Sequence, residues 1–430
     1  MTGPAGLPPP VALDDLLAPI APRGIVLGLE RMAAALAEGG HPERRFAAVQ
    51  VAGTNGKGSI CAFLHAILQA AGLRVGVYRS PHLVSWCERI CLHDSWIAPE
   101  VLRADLERWH PLALQHQLTP FELVTAAAFG RFALEPLDLA VLEVGLGGRL
   151  DATTAHPRRP VIGFAAIGLD HREHLGDTLA AIAREKAGVL SAGAVAISGP
   201  QAPPVAAVLR AEAAARGADL RWVQPLPAPA AGGPALGLAG ELQRSNGAVA
   251  VAMARVLAEP WDPLGVAARL GPALANGAIE AGLAGARWPG RLQRARWRGR
   301  PLLLDGAHNP HAAAALRAEL DRRDPGPRQW LVGIQRTKDG PALLTTLLRP
   351  GDRALITPLP DLPAWQVADL AAARAGLARQ LTAVADARQG LEQLMTAAAA
   401  GPQGPEPVIC GSLHLLGALL PLLDAPDQGA

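Results

Sequence analysis

The sequence predicts an α/β protein of two domains, each built on a mainly parallel sheet covered by helices. Short β-branched apolar runs, FAAVQVAG (46–53), LRVGVYRS (73–80), LAVLEVG (139–145) and VIGFAAIG (161–168), alternate with alanine-rich helix-like stretches. Strands that are apolar throughout and separated by helices belong in a parallel sheet buried on both faces. A fresh alternation begins after WPGR (288–291), where LLLDGAHN, RQWLVGIQ, RALITPLP, LTAVAD and PVICGS read as strands. The length of 430 residues also exceeds one typical core. The expected domains are 1–291 and 292–430, and the Pro/Gly/Ala stretch at 225–237 is expected to be a surface loop within the first.

The bulk properties exclude several classes. Half the residues are apolar, 18% are charged and the net charge is +2. Such a chain buries a substantial core and has no electrostatic footprint for nucleic acid. No run of 18 apolar residues occurs, and MTGPAGLPPP has neither a basic nor an apolar leader region, so the expectation is a cytoplasmic protein with no membrane partner. The four cysteines form no C-x-x-C pair and are expected to be reduced, mostly buried thiols.

The first strand ends in Gly53-Thr54-Asn55-Gly56-Lys57-Gly58-Ser59, ahead of the helical ICAFLHAILQAAG. Glycines let backbone N–H groups wrap a phosphate chain, the helix N-terminus adds positive potential, and a lysine supplies a point charge. The spacing departs from the strict G-x-x-x-x-G-K-[ST] pattern, so the first domain is expected to be P-loop NTPase-like with a variant loop. The second strand is followed by Ser80, and the third ends at Glu143. A hydroxyl and a carboxylate beside a triphosphate are hard oxygen ligands suited to Mg²⁺.

After the fourth strand, LDHREHLGDTLAAIAREKAG places Asp170 and His171 at a strand end and continues as one amphipathic helix ending near Lys186 and Gly188. His171 is a candidate metal ligand. Only three lysines, Lys57, Lys186 and Lys338, occur among 40 basic residues. Arginine serves as well for solvated charge but cannot act as a compact ammonium or as a deprotonatable amine, so lysine chemistry is expected at Lys57 and Lys186. Lys338, in RTKDG, has no role assignable from the residues. In the second domain Asp305-Gly306-Ala307-His308-Asn309-Pro310 is a polar strand-end loop suited to ribose or phosphate.

Taken together, VAGTNGKGS, YRSPHL, LEVGLGGRLDAT, IGLDHREHLGDTLAAIAREKAG, PGRLQ, LLDGAHNPHAA and CGSLHLLG resemble the dihydrofolate synthase/folylpolyglutamate synthase family of the Mur ligase superfamily, collinearly from Leu27 to Gly417. The resemblance implies a smaller, Rossmann-like second domain and an ATP-dependent ligase joining a pteroate or folate carboxylate to the amine of L-glutamate. It implies that Gly53 to Ser59 hold the ATP phosphates and that Asn246, Arg291, Asp305 and His308 contact the nucleotide. Ser80, Glu143 and His171 would bind Mg²⁺, and Lys186 would be carbamylated as a ligand for a second Mg²⁺. Lys57, His171 and Lys186 are therefore the expected catalytic residues. Thr119, Pro120, Phe121 and Glu122, with Arg149, Leu150, Asp151 and Ala152, match pterin or folate contacts, and LGLERM (27–32) matches a motif bordering that site. Pro120 stands where the family pattern has an aromatic residue. The family also implies a monomer.

Two alternatives differ in class. A Mur-type amino-acid ligase of peptidoglycan synthesis would carry a separate nucleotide-precursor domain, for which the 52 residues before Gly53 are too few. A non-catalytic nucleotide-binding protein would have no need of an acylated lysine.

Overall fold

The computed structural model describes residues 6–262, 264–400 and 405–424, with the side chains of 399 and 400 excepted. The chain forms two compact units. The first comprises the residues up to Gly168 together with Arg172–Leu238 and Leu242–Trp288, and the second comprises Leu169–His171, Ala239–Glu241 and the chain from Pro289 onward.

Among the described residues the first unit holds eight strands: β1 (Ala48–Ala52), β2 (Val75–Tyr78), β3 (Ile90–Leu92), β4 (Ser95–Trp96), β5 (Leu139–Glu143), β6 (Val161–Phe164), β7 (Val195–Ser198) and β8 (Asp219–Trp222). Their order is β4-β3-β2-β5-β1-β6-β7-β8. Strands β2, β5, β1, β6, β7 and β8 run parallel, the first four of them as the apolar runs predicted. The short β3 and β4 add antiparallel at one edge.

β1 is buried along its whole length, yet its side chains still divide between faces with period two. Val49 and Val51 pack under Ile60, Phe63, Leu64 and Ile67 of the helix Lys57–Ala70, joined by Val249 and Met253 of the helix Leu242–Leu257. Ala48 turns to the opposite face, with Tyr78, Ala140 and Leu142, under Leu123, Phe129 and Phe132 of the helix Pro120–Leu134. Each fully buried large apolar side chain contributes roughly 1.5–3 kcal/mol. The strand is thereby fixed from both sides.

The second unit holds β9 (Gln293–Trp297), β10 (Arg300–Leu304), β11 (Gln329–Val332), β12 (Arg353–Ile356), β13 (Leu381–Ala383) and β14 (Val408–Cys410), ordered β13-β12-β11-β14-β10-β9. All its pairs are parallel except β9 with β10. Trp330, Val332, Leu316, Leu320, Leu343 and Leu347 anchor its core.

One expectation is corrected. The segment after β6 is two helices, Arg172–Leu175 and Leu179–Ala187, because Gly176 adopts φ +96° and Thr178 starts the second helix by accepting from the N–H of Ala181. All four cysteines are buried and free. Within 225–237 most residues are exposed and only the single turn Pro229–Ala231 is helical. Among the described residues no helix is long and apolar enough to cross a membrane.

Candidate functional site

β1 lies between β5 and β6, while the strand that follows it in sequence, β2, lies beyond β5. Connections therefore diverge to opposite sides at the carboxyl end of β1, which is where open α/β sheets bind ligands. The loop Gly53–Gly56 occupies that position. Gly53 has φ +140°, and a Cβ there would stand 2.7 Å from the Cβ of Ala165. The N–H groups of Thr54 and Asn55 donate to the carbonyl of Ala166 at 2.9 and 3.1 Å, which fastens the loop to the end of β6. Gly56 has φ +102°, and a Cβ would come within 2.5 Å of Asn246 Oδ1. Only glycine fits this conformation and this neighbour together.

The helix Lys57–Ala70 starts from Gly56, so its unpaired N–H groups and positive dipole end face the loop. Lys57 Nζ donates to the carbonyl of Thr54 at 3.3 Å, which folds its ammonium back over the loop. Ser59 Oγ is buried without a hydrogen-bond partner. A buried hydroxyl left so is costly unless a ligand satisfies it.

Lys186 is 4% exposed, and its Nζ donates to the carbonyl of Gly53 at 2.9 Å. Its neighbour Glu185 pairs outward with Arg149 at 2.9 Å. Glu143 ends β5 and is buried, and half-buried Ser80 follows β2. Burial drives the Cys61 thiol well above its ordinary pKa; the nearby Glu143 charge adds to this, while Arg79 and Lys57 oppose it. One carboxylate and two cations thus surround the first turns of this helix.

Arg79 was not singled out in the sequence. Its guanidinium lies between Trp96 and Trp288, 5.0 and 4.4 Å from the ring centroids, and Trp288 in turn packs on Gly58. In a chain rich in arginine, nothing in its local sequence marks a buried one.

The residues matched to pterin or folate contacts gather near the end of β5. Thr119 and Glu122 form a capping box at the start of the helix Pro120–Leu134, with Pro120 in its first turn, and Arg31 of LGLERM pairs with Glu122 at 3.0 Å. Phe121 packs on Gly145. Asp151 accepts from the N–H groups of Gly145, Leu146 and Thr153 at 3.0, 2.8 and 3.0 Å, and so holds the 145–153 turn together. Burial raises its carboxyl against those hydrogen bonds. Arg149 is at the surface, Leu150 is half-buried, and Ala152 is buried at the start of the next turn. The polar groups of Thr119, Glu122 and Asp151 are thus committed to shaping this rim.

In the second unit, Asp305 at the end of β10 accepts from Leu292 N and Ala307 N, both at 2.9 Å. Burial raises its carboxyl, and the Arg291 charge acts in the opposite direction. Arg291 packs beside Gly306, with its Nε buried and lacking a hydrogen-bond partner. His308 Nδ1 contacts the carbonyl of Gly306 at 2.8 Å. Of the expected nucleotide contacts, Arg291, Asp305 and His308 belong to this unit, whereas Asn246 belongs to the phosphate loop's unit.

Asp170 collects the polar ends of three segments in the second unit. Its Oδ1 accepts from Lys338 Nζ at 2.5 Å and from His171 N at 3.0 Å, and its Oδ2 accepts from Asn309 Nδ2 at 3.0 Å and faces His308 Nε2 at 3.6 Å. Burial works to raise its carboxyl, but the contact with His308 and the charge of Lys338 hold it well below the carboxylate range. His171 has φ +50°, a left-handed conformation that a non-glycine residue keeps only when its surroundings enforce it.

Among the described residues no three His, Cys, Asp or Glu side chains converge on one point. The donors around the phosphate loop are instead hydroxyls and one carboxylate, the set a hard cation shares with phosphate oxygens. The buried hydroxyl of Ser59 fits that use.

The family described as "Dihydrofolate synthetase, C-terminal domain" matches residues 291–422. The chain is 34% identical over 349 residues to the dihydrofolate synthase/folylpolyglutamate synthase of Bacillus subtilis, covering 74% of this chain and 77% of that protein. It superposes on Escherichia coli FolC in complex with DHPP and ADP with a TM-score of 0.79 at 30% identity, covering 95% of each chain. A bifunctional folylpolyglutamate synthase/dihydrofolate synthase with Mn, AMPPNP and L-glutamate bound gives a TM-score of 0.78 at 30% identity, with 98% and 99% covered.

Proposed function

The chain belongs to the dihydrofolate synthase/folylpolyglutamate synthase family and is an ATP-dependent ligase for L-glutamate, and from that premise we propose how its own residues carry the reaction. Gly53 to Ser59 cradle the phosphate chain of ATP. Lys57 reaches its outer phosphates, and Asn246 backs Gly56. Arg291, Asp305 and His308 supply further nucleotide contacts. The folate-side rim of Thr119 to Glu122 and Arg149 to Ala152 presents the acceptor carboxylate. We propose an ATP-binding domain, 1–291, and a ligase domain, 292–430; the compact units divide the chain differently, with Leu169–His171, Ala239–Glu241 and the chain from Pro289 onward in the second. A monomer is proposed from the family resemblance, and a cytoplasmic location from the four free, buried thiols.

Ser80, Glu143, His171 and Lys186 are proposed to hold two Mg²⁺ ions. When bound, these ions neutralise charge on the transferring phosphoryl group and align in-line attack. Lys186 reaches that role by carbamylation: its ammonium gives up a proton, the neutral amine bonds to the carbon of CO₂, and a second proton leaves the nitrogen, so that the resulting carbamate is a carboxylate-like ligand. Lys57 and the helix N-terminus stabilise the phosphate charge while the acceptor carboxylate attacks the γ-phosphorus, giving an acyl phosphate and ADP. The amine of glutamate then attacks the acyl carbon and phosphate leaves.

The observation that carries this reading is Lys186 itself: a buried lysine, held at 2.9 Å from the first residue of the phosphate loop. The test is phosphate release from ATP and Mg²⁺ with L-glutamate and either dihydropteroate or a reduced folate. Turnover with one or both identifies the acceptor. Absence of release with both overturns the reading.

A further inference from the structure

Lys338 is the lysine to which the sequence assigned no role, and the structure gives it one. We propose that Lys338 is a positioning residue that holds His171 and competes with a divalent cation for its ring nitrogen. The proposal rests on the reading of His171 as a metal ligand.

The geometry is specific. Lys338 Nζ lies 2.5 Å from Asp170 Oδ1 and 3.2 Å from His171 Nε2. An ammonium has only donors, so at this contact Nε2 must be the acceptor and the ring proton sits on Nδ1. A metal ion binding His171 through Nε2 needs that same in-plane lone pair, and the two occupants exclude each other. Asp170 fixes the arrangement from the other side by accepting from the backbone N–H of His171 at 3.0 Å, and the φ of +50° at His171 shows the backbone bent to suit.

Lys338 is itself immobilised. Its N–H donates to Gln335 O at 2.9 Å, and its carbonyl accepts from Trp365 Nε1 at 2.9 Å. The side chain is 12% exposed, so solvent does little to replace either contact. One three-donor ammonium can serve two acceptors from a single atom, whereas the planar fork of arginine spreads its donors over a fixed frame. This gives a reason for a lysine here in a chain that otherwise uses arginine.

The test follows the His171 ring by long-range ¹H–¹⁵N correlation in the full chain with a non-hydrolysable ATP analogue, while Mn²⁺ is titrated in. In the wild type, Nε2 is expected to show as a hydrogen-bonded acceptor with the proton on Nδ1. In Lys338→Met, the ring is expected to populate both tautomers before Mn²⁺ is added, and to broaden at several-fold lower Mn²⁺. Lys338→Arg, which retains the charge beside Asp170, is expected to shift in the same direction and guards against a folding defect in the methionine variant. Equal tautomer populations and equal Mn²⁺ dependence in all three proteins would overturn the proposal. If His171 stays sharp in every protein while Mn²⁺ broadens residues near the phosphate loop, it is the ligand assignment of His171 that fails, separately from ATP-dependent ligation.

Discussion

Lys186 Nζ donates to the carbonyl oxygen of Gly53 across 133 residues of sequence, which joins the helix Leu179–Ala187 to the first residue of the phosphate loop. Lys186→Arg keeps a cation and the helix but removes the amine that carbamylation needs. Phosphate release is expected to fall at least about 100-fold, as for loss of an electrostatic group at a transferring phosphoryl. Added bicarbonate is expected not to restore it, and near-normal turnover would remove carbamylation from the mechanism.

Gly56 and Gly217 both have positive φ, but only Gly56 faces a neighbour. A Cβ at Gly56 meets Asn246 Oδ1 at 2.5 Å, whereas at Gly217 nothing lies within 4 Å. Gly217→Ala is expected to cost about 1 kcal/mol through its left-handed backbone alone, with an unchanged KM for ATP. Gly56→Ala is expected to destabilise by more and to raise that KM at least tenfold. Denaturant titration with steady-state kinetics separates the two.

Ser59 Oγ offers effects of opposite sign. Because the hydroxyl is buried and unpartnered in the protein without ligand, Ser59→Ala is expected to leave stability unchanged or slightly higher. If Oγ serves phosphate or cation, the same change raises the Mg²⁺ concentration needed for half-maximal rate several-fold. A loss of stability with unaltered Mg²⁺ dependence would assign the hydroxyl to packing.

His65 and His156 are buried as neutral rings. Burial, the larger cause in each, depresses them to about 3 and about 4, against hydrogen bonds to the carbonyls of His93 and Phe46. The unfolded chain takes up these protons near pH 6.5 and the folded chain does not. Stability is therefore present above pH 6.5 and lost as pH falls towards 4. At pH 5 each ring accounts for about 2 kcal/mol. His65→Gln, which keeps a donor for His93, is expected to flatten the fall in urea midpoint between pH 7.5 and pH 5. An unchanged slope would place the acid sensitivity elsewhere.

The strands nearest the site were legible because they are buried on both faces, which leaves β1, β2, β5 and β6 apolar apart from Gln50 and the terminal Glu143. β9 was not, since its edge position exposes alternate residues and QRARW carries no apolar run. β8 was also missed, being partly exposed, and so was β7, although it is buried along its whole length. The glycine turn Gly53–Gly56 ahead of a helix could be read because its backbone requirement is local. The contacts of Lys338, Asp170 and His308 could not, because they join segments more than a hundred residues apart through side chains that look ordinary alone. Arg31 with Glu122 is a similar case: each lay in a recognisable motif, and the ion pair between the motifs emerged only in the fold.

The strand order of the first unit also has a consequence for synthesis. β1 and β2 are the first two strands of this sheet in chain order, but they do not pair with each other, because β5 takes the place between them. Until residues 139–143 emerge, β1 lacks both its neighbours and β2 is covered on one side only, by β3, a state prone to pairing with other chains. The loop at the end of β1 therefore gains its flanking strands, β5 and β6, only late in synthesis.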